Sequence, residues 1–376
     1  MRQTYQISRL FNGERFHQDA WLTIDNGKVV ALGHGQPPSD ARKLEGTLVP
    51  GFVDVQVNGG GGALFNGDPS VNSIATIGAA HARFGTTGYL PTLITDSLEV
   101  LQQGADAVAA ALREGCAGVL GVHFEGPHLS VAKKGVHSAE HIRPLTDAEM
   151  AVYTRKDLGT VVVTLAPENV PAEQIAELTA AGVKVCLGHS DADYATAQAA
   201  LAAGACGFTH LFNAMSAFTS REPGMVGAAL LDQHSWCGLI VDGHHVHDAS
   251  LQLAIQSKAA EKMMLVTDAM PPVGMEGDTF TLLGRTIRRE GDKLTAPTGE
   301  LAGSVLDMAT AVRNSVRQLG LSEAEAFKMA SRYPAEFLGL ENPGRLRVGA
   351  SADMVLLDDD YRVIQCWIGG HAKLNS

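Results

Sequence analysis

Eight short apolar runs recur along the chain, each closing on polar residues: LVPGFVDVQVNGG, TTGYLPTLIT, GVLGVHFEGPH, TVVVTLAPE, VKVCLGHSD, GFTHLFNAM, CGLIVDGHHV and MMLVTDAMPP. Between them lie stretches of helical periodicity rich in Ala, Leu, Gln and Glu, among them Leu98 to Arg113, Ala172 to Ala181, Tyr194 to Ala203 and Ala249 to Ala260. Buried parallel strands read as near-continuous apolar runs, and eight of them separated by helices predict an α/β fold, a closed (β/α)8 barrel of the TIM type. In such a barrel the chemistry sits at the C-terminal strand ends. Here the third, fifth, sixth and eighth endings read HFEGPH, GHSD, THLFNAM and VTDAM.

The flanks break this rhythm. Residues 1–48 read as short strands, with Asp25-Asn26-Gly27 marking a hairpin, and the tail from residue 344 reads likewise after helices around Asp307 to Leu319 and Ser322 to Leu338. The expectation is a small β-sandwich domain built from both termini, 1–48 plus 344–376, beside a barrel spanning 49–343. An inserted hairpin is expected near 279–298, TFTLLGRTIRREGDKLTA.

A chain of 376 residues with a formal net charge of −12 and no basic cluster has ample material for a core and excludes nucleic acid and anionic membrane as partners. No apolar run approaches the roughly 20 residues of a membrane span, and the N-terminus lacks a signal core. The five cysteines, Cys116, Cys186, Cys206, Cys237 and Cys366, form no CxxC pair, which suits a reducing cytoplasm.

Histidine is concentrated: ten of the fourteen lie between His123 and His247, several at strand ends. Glu125, His189 and His210 follow the third, fifth and sixth runs, so one carboxylate and two imidazoles converge on the barrel axis and leave a metal position open, the arrangement of a catalytic site. Taken singly, the histidines also suit satisfied polar residues, with Glu125 paired to a lysine such as Lys133. Asp268 ends the eighth run, where it can serve as general base and then general acid, or else cap the following turn. The run Gly59 to Gly62 has no nucleotide-binding context and reads as a close-approach loop. Arg221 offers a fork for phosphate oxygens, or a surface ion pair with Glu222.

Together the motifs PGFVDVQVNGGGG, HFEGPH, KKGVH, LGHSDA, THLFNAMS, REPGMVGA, DGHHV, VTDAM, LAGS and GRLRVGASADMVLLD cover essentially the whole chain. In these the chain resembles the amidohydrolase superfamily and, within it, the N-acetylglucosamine-6-phosphate deacetylase family. The resemblance implies a hydrolase of amino-sugar catabolism that cleaves the N-acetyl amide of an N-acetylhexosamine 6-phosphate. It implies Glu125, His189 and His210 as ligands of a divalent metal, zinc or alternatively iron, with Asp268 as proton acceptor and donor and His137 polarising the carbonyl. Val136, Asn213, Ala214 and the backbone of Leu301, Ala302 and Gly303 would line the sugar pocket, His245 would contact the phosphate, and Arg221 would reach the phosphate from the neighbouring subunit of a homodimer. Many superfamily members carry His-x-His on the first strand for a second metal. Gln56 and Asn58 stand there instead, neutral amides that are poor zinc ligands, so one metal per subunit is expected. The substrate epimer, glucosamine or galactosamine, stays open, as does a barrel without activity that senses sugar phosphate.

Overall fold

The computed structural model describes residues 2–277, 279–282 and 284–373. All eight apolar runs are strands: Phe52–Val57, Thr86–Ile94, Gly121–Glu125, Thr160–Leu165, Lys184–Leu187, Gly207–Phe208, Trp236–Leu239 and Met263–Leu265. They pair in chain order in one parallel eight-stranded sheet. The first and last strand ends close on each other through a parallel bridge between Val57 and Ala269, with the Asp268 N–H donating to the Gln56 carbonyl at 3.1 Å.

The helix between the second and third strands, Leu98–Arg113, shows why the intervening segments fold as they do. Ser97 caps it, its hydroxyl accepting from the Val100 N–H at 3.3 Å, and Leu101, Ala105 and Val108 bury one face against the barrel. Removing such a cap costs about 1 kcal/mol. The stretch Ser322 to Leu338, expected as one helix, is two: Glu323–Ala330 and Arg332–Leu338. Pro334 has no N–H to offer the Ala330 carbonyl, and its ring would crowd that carbonyl, so the chain breaks at Ser331. The Ser331 hydroxyl turns back to donate to the Phe327 carbonyl at 2.5 Å.

Both ends of the chain enter one seven-stranded sheet. Gln3–Phe11 lies between Phe16–Asp25 and Arg42–Pro50, and the C-terminal strand Met354–Leu357 pairs antiparallel with Arg42–Pro50. The expected hairpin turn has Asn26 and Gly27 at φ of 47° and 74°, the two left-handed residues of a tight two-residue turn. Tyr5 and Trp367 stand three strands apart, which in a flat sheet means about 14 Å. Their rings instead meet at 5.6 Å, so the sheet rolls over its own apolar face as a sandwich does, enclosing Ile7, Leu22, Leu48 and Met354. Arg9 fastens this unit to the barrel helices through Glu323 at 2.5 Å, beside a Phe11–Phe327 ring contact at 5.6 Å. Of these terminal segments, residues 1 and 374–376 lie outside the described residues.

The insertion forms three antiparallel strands, Thr279–Leu282, Arg285–Glu290 and Lys293–Thr295, with residue 283 outside the described residues. Its Leu282, Ile287 and Leu294 pack on Ile94, Met270 and Ala302, backing one side of the barrel mouth.

Candidate active site

Glu125 is the last residue of the third barrel strand, in register with Ile94 and Thr164 of its neighbours. His189 and His210 lie just past the fifth and sixth strands, and Asp268 just past the eighth. All three adopt left-handed backbone, with φ of 47°, 34° and 51°. Such a conformation costs a non-glycine residue on the order of 1–3 kcal/mol and concentrates at functional sites, where the surrounding fold holds it in place.

Glu125 Oε1 stands 3.2 Å from His189 Nε2 and 3.0 Å from His210 Nε2, and the two imidazole nitrogens are 3.0 Å apart. Ligands at about 2.0–2.1 Å from a tetrahedral zinc are separated by about 3.3 Å, so these three donors already outline one face of such a site. His189 Nδ1 donates to the Lys133 carbonyl at 2.8 Å, which leaves its Nε2 lone pair directed at the cluster. Burial alone would raise Glu125, yet its hydrogen bonds to the two histidines hold it well below the ordinary carboxylate range. Burial likewise opposes a charge on His210, and Glu125 outweighs it, holding that imidazole above its usual value. The three groups share a demand for positive charge, which a divalent cation satisfies, and they meet the chemistry of a metal site. The alternative ion pair is not formed: Lys133 reaches Asp191 at 3.3 Å.

Opposite this cluster, Asp268 Oδ1 accepts from Asn58 Nδ2 at 2.7 Å and from Gln56 Nε2 at 3.2 Å, while Gln56 Nε2 also donates to Glu125 Oε1 at 3.1 Å. Burial, reinforced by the nearby Glu125 carboxylate, pushes Asp268 up to about 6. Asp268 precedes no helix, and its side chain caps no turn among the described residues. Beneath it Asp54, wholly buried, accepts from the Thr267 hydroxyl at 2.5 Å and from the Gln56 N–H at 3.1 Å, tying the first strand to the eighth. Burial raises Asp54 to about 7.

His137, buried in the loop after the third strand, fixes its own tautomer. Its Nδ1 accepts from the Thr95 backbone N–H at 3.3 Å, with the Thr95 hydroxyl at 2.8 Å, so the proton sits on Nε2. Burial and the adjacent His189 hold it neutral, down to about 3. At the other side His245 Nδ1 donates to Asp242 at 2.6 Å, and Asp242 also accepts the His244 and His245 backbone N–H groups at 2.9 Å. His244 turns outward to Asp292 of the insertion at 2.7 Å. His123 is spent on the barrel interior, bonded to the Val55 carbonyl and the Thr164 hydroxyl.

These groups surround a cavity of about 180 Å³ at the barrel mouth. Glu125, His189, His210, Asp268, Val136, His137, Asn213, Ala214, His245, Leu301 and Gly303 all line it, as the sequence led one to expect. Two further residues named from the sequence lie outside this lining. The side chain of Ala302 is fully buried in the apolar cluster under the insertion, which leaves only its backbone to face the pocket. Arg221 is exposed on the loop before the helix Gly224–Leu231, outside the cavity of its own chain, and forms no ion pair with Glu222 or any other described residue. Ile94, Met270 and Gly135 line the cavity unforeseen, as does Thr95 support it; apolar residues at strand ends look like core. The i, i+2, i+4 spacing of Asp54, Gln56 and Asn58 on one strand face was the signal for the carboxylate-holding side.

The amidohydrolase family model matches residues 47–373. The chain belongs to the amidohydrolase family. This amidohydrolase is 51% identical over 329 residues to the N-acetylgalactosamine-6-phosphate deacetylase of Shewanella sp. (strain ANA-3), covering 88% of this chain and 84% of the relative. It is 36% identical over 375 residues to the N-acetylglucosamine-6-phosphate deacetylase of Vibrio furnissii, covering 97% and 94%. The crystal structure of N-acetylglucosamine-6-phosphate deacetylase from Pasteurella multocida superposes with a TM-score of 0.96 at 33% identity, covering 100% of both chains. Among the described residues no helix of this amidohydrolase is long and apolar enough to cross a membrane, and all five cysteines are free.

Proposed function

We propose that this chain hydrolyses the N-acetyl amide of N-acetyl-D-glucosamine 6-phosphate to D-glucosamine 6-phosphate and acetate. The observation that carries this reading is the convergence on one cavity of a three-donor cluster, a proton donor at His137 Nε2 and a carboxylate poised near neutrality at Asp268. Glu125, His189 and His210 would hold one divalent cation, zinc or alternatively iron, which when bound supplies Lewis acidity and lowers the pKa of water from 15.7 to about 7. His137 donates its Nε2 proton as a hydrogen bond to the acetyl oxygen while that oxygen gains charge. Ionised Asp268 takes a proton from the attacking water and returns it to the sugar nitrogen as the C–N bond breaks, so the amine leaves neutral and the acyl carbon as acetic acid, which gives up its remaining proton to solvent to become acetate.

Phosphate recognition falls to His245, aimed by Asp242, and to Arg221 of a second copy in a homodimer. The exposure of Arg221 and of Phe218, 64% exposed three residues earlier, supports a surface that meets another chain. Free cysteines throughout accord with a cytoplasmic enzyme. A second reading, the galactosamine epimer as preferred substrate, is favoured by the name of the relative at 51% identity.

Acetate release from both epimers, measured in parallel on protein whose metal has been counted, tests the proposal. Turnover with about one metal per chain, lost on chelation and restored by zinc, is expected, and the larger kcat/KM names the epimer. No release from either, with metal bound, refutes it. Arg221→Ala should raise KM for the phosphorylated sugar by about 10- to 100-fold and leave that for the unphosphorylated sugar unchanged.

A further inference from the structure

Gln56 and Asn58 enter the sequence only as residues that fail to bind a second metal, yet both side chains are buried and committed to carboxylates. Each is 1% exposed, and each amide nitrogen points at a carboxylate that the proposed chemistry uses. We propose that Gln56 and Asn58 are positioning residues for the proton shuttle of Asp268, a reading that rests on the deacetylase function above: their amides fix Oδ1 and leave Oδ2 as the oxygen that carries the proton.

The geometry is specific. Oδ1 receives two amide hydrogens, at 2.7 and 3.2 Å, which occupies both of its lone pairs. Oδ2 takes no hydrogen bond from the described residues, and Asp268 lines the cavity. A carboxylate held on one oxygen cannot rotate, so the free oxygen keeps its aim between the two proton transfers. The holders are themselves held by backbone. Gln56 accepts from the Asp268 N–H at 3.1 Å, and the Asn58 N–H donates to the Ala269 carbonyl at 2.9 Å, so donor and acceptor sit on two strands stitched to each other at that level. The second hydrogen of Gln56 goes to Glu125 Oε1, which places a neutral amide between two carboxylates that would otherwise face each other. Neutrality matters: a cation in the same place would fix Asp268 equally well but would strip it of the basicity that proton abstraction requires.

A role confined to barrel closure would give the same contacts, and a double-mutant cycle on the metal-loaded enzyme separates the two. Asn58→Ala should lower kcat by about 10- to 100-fold, the worth of a hydrogen bond to a charged group, with KM changed by less than about threefold and metal content unaltered. Placed on Asp268→Asn, the same substitution should cost nothing further, because the group it positions is gone. An equal loss in both backgrounds overturns the proposal. Asn58→Asp keeps the shape while replacing the donor by an acceptor, so it should lose at least as much as Asn58→Ala, and an Asn58→Asp enzyme as active as wild type also overturns it. A crystal structure of Asn58→Ala provides a readout independent of turnover: the Asp268 carboxylate should be rotated or in two orientations, and a single unchanged orientation refutes the assignment. If neither epimer yields acetate, the functional reading fails while that structure still decides whether Asn58 holds Asp268.

Discussion

Glu125 and Asp268 end strands on opposite sides of one barrel mouth, and burial acts on both in the same sense, yet they are driven apart. Glu125 faces two imidazoles and is held well below the ordinary carboxylate value, whereas Asp268 faces two neutral amides and Glu125 itself and is pushed up to about 6. What differs is the charge of the partners, since both accept strong hydrogen bonds. Partners that can carry charge make a permanent anion suited to hold a cation; partners that cannot make a carboxylate able to gain and lose a proton near neutrality. The division of labour between ligand and acid–base is therefore written in the neighbouring residues, His189 and His210 against Gln56 and Asn58.

The most damaging way to break this asymmetry is to remove a charged partner. His210→Ala leaves Glu125 with one imidazole and the cation with two protein donors, so metal content should fall well below that of the wild type and kcat/KM should drop by more than about 1000-fold. Elemental analysis beside the assay separates this from a purely kinetic loss. An enzyme with full metal and near-normal rate would remove His210 from the site.

On the other side, Asp268→Asn keeps the shape and the cluster of donors but cannot move a proton. Metal should be retained and kcat should fall by about 100- to 10,000-fold. The wild-type pH profile sharpens the same point. Asp268 works as a base only when ionised, so activity is present above its pKa and lost as pH falls through it, and the acidic limb of kcat/KM should lie at or below about pH 6, a bound cation pulling it downward. A limb centred above pH 7 would assign the acidic limb to a group other than Asp268.

Much of this contrast could be read in advance, and the part that could not has a physical reason. Polar residues closing apolar runs mark strand ends, and Glu125, His189, His210 and Asp268 stood at such ends, so the barrel and its donors were legible without knowing any distance. The left-handed backbone at His189, His210 and Asp268 was not, because nothing in a sequence signals a residue held against its preference by its surroundings. Gln56 and Asn58 were read for what an amide cannot do, bind zinc, and their role as donors became visible only when Glu125 and Asp268 appeared within 3.2 Å of Gln56 and Asp268 within 2.7 Å of Asn58. At Ser331 the expected helix yielded to Pro334, a signal present in the sequence and outvoted by the periodicity around it.

Asp54 extends the comparison to a third buried carboxylate, one with neither imidazole partners nor access to the cavity, and it is raised furthest, to about 7. Its hydrogen bonds from Thr267 and Gln56 favour the ionised form but do not offset full burial. The sign of the consequence follows from linkage. Between the ordinary carboxylate value of 3.8 and about 7 the folded chain holds a proton that the unfolded chain has released, so the stabilisation from Asp54 is fully present below that window and is lost as pH rises through it. From pH 5 to pH 7 the loss from this one group is about 2 kcal/mol. Asp54→Asn cannot ionise, so thermal melts across that range should show a flatter pH dependence than wild type, while turnover at pH 7 changes little because Asp54 touches no reacting atom. Wild-type and Asp54→Asn curves that run parallel would show that Asp54 stays ionised in the fold, and that hydrogen bonding by neutral groups alone is enough to keep a buried carboxylate charged.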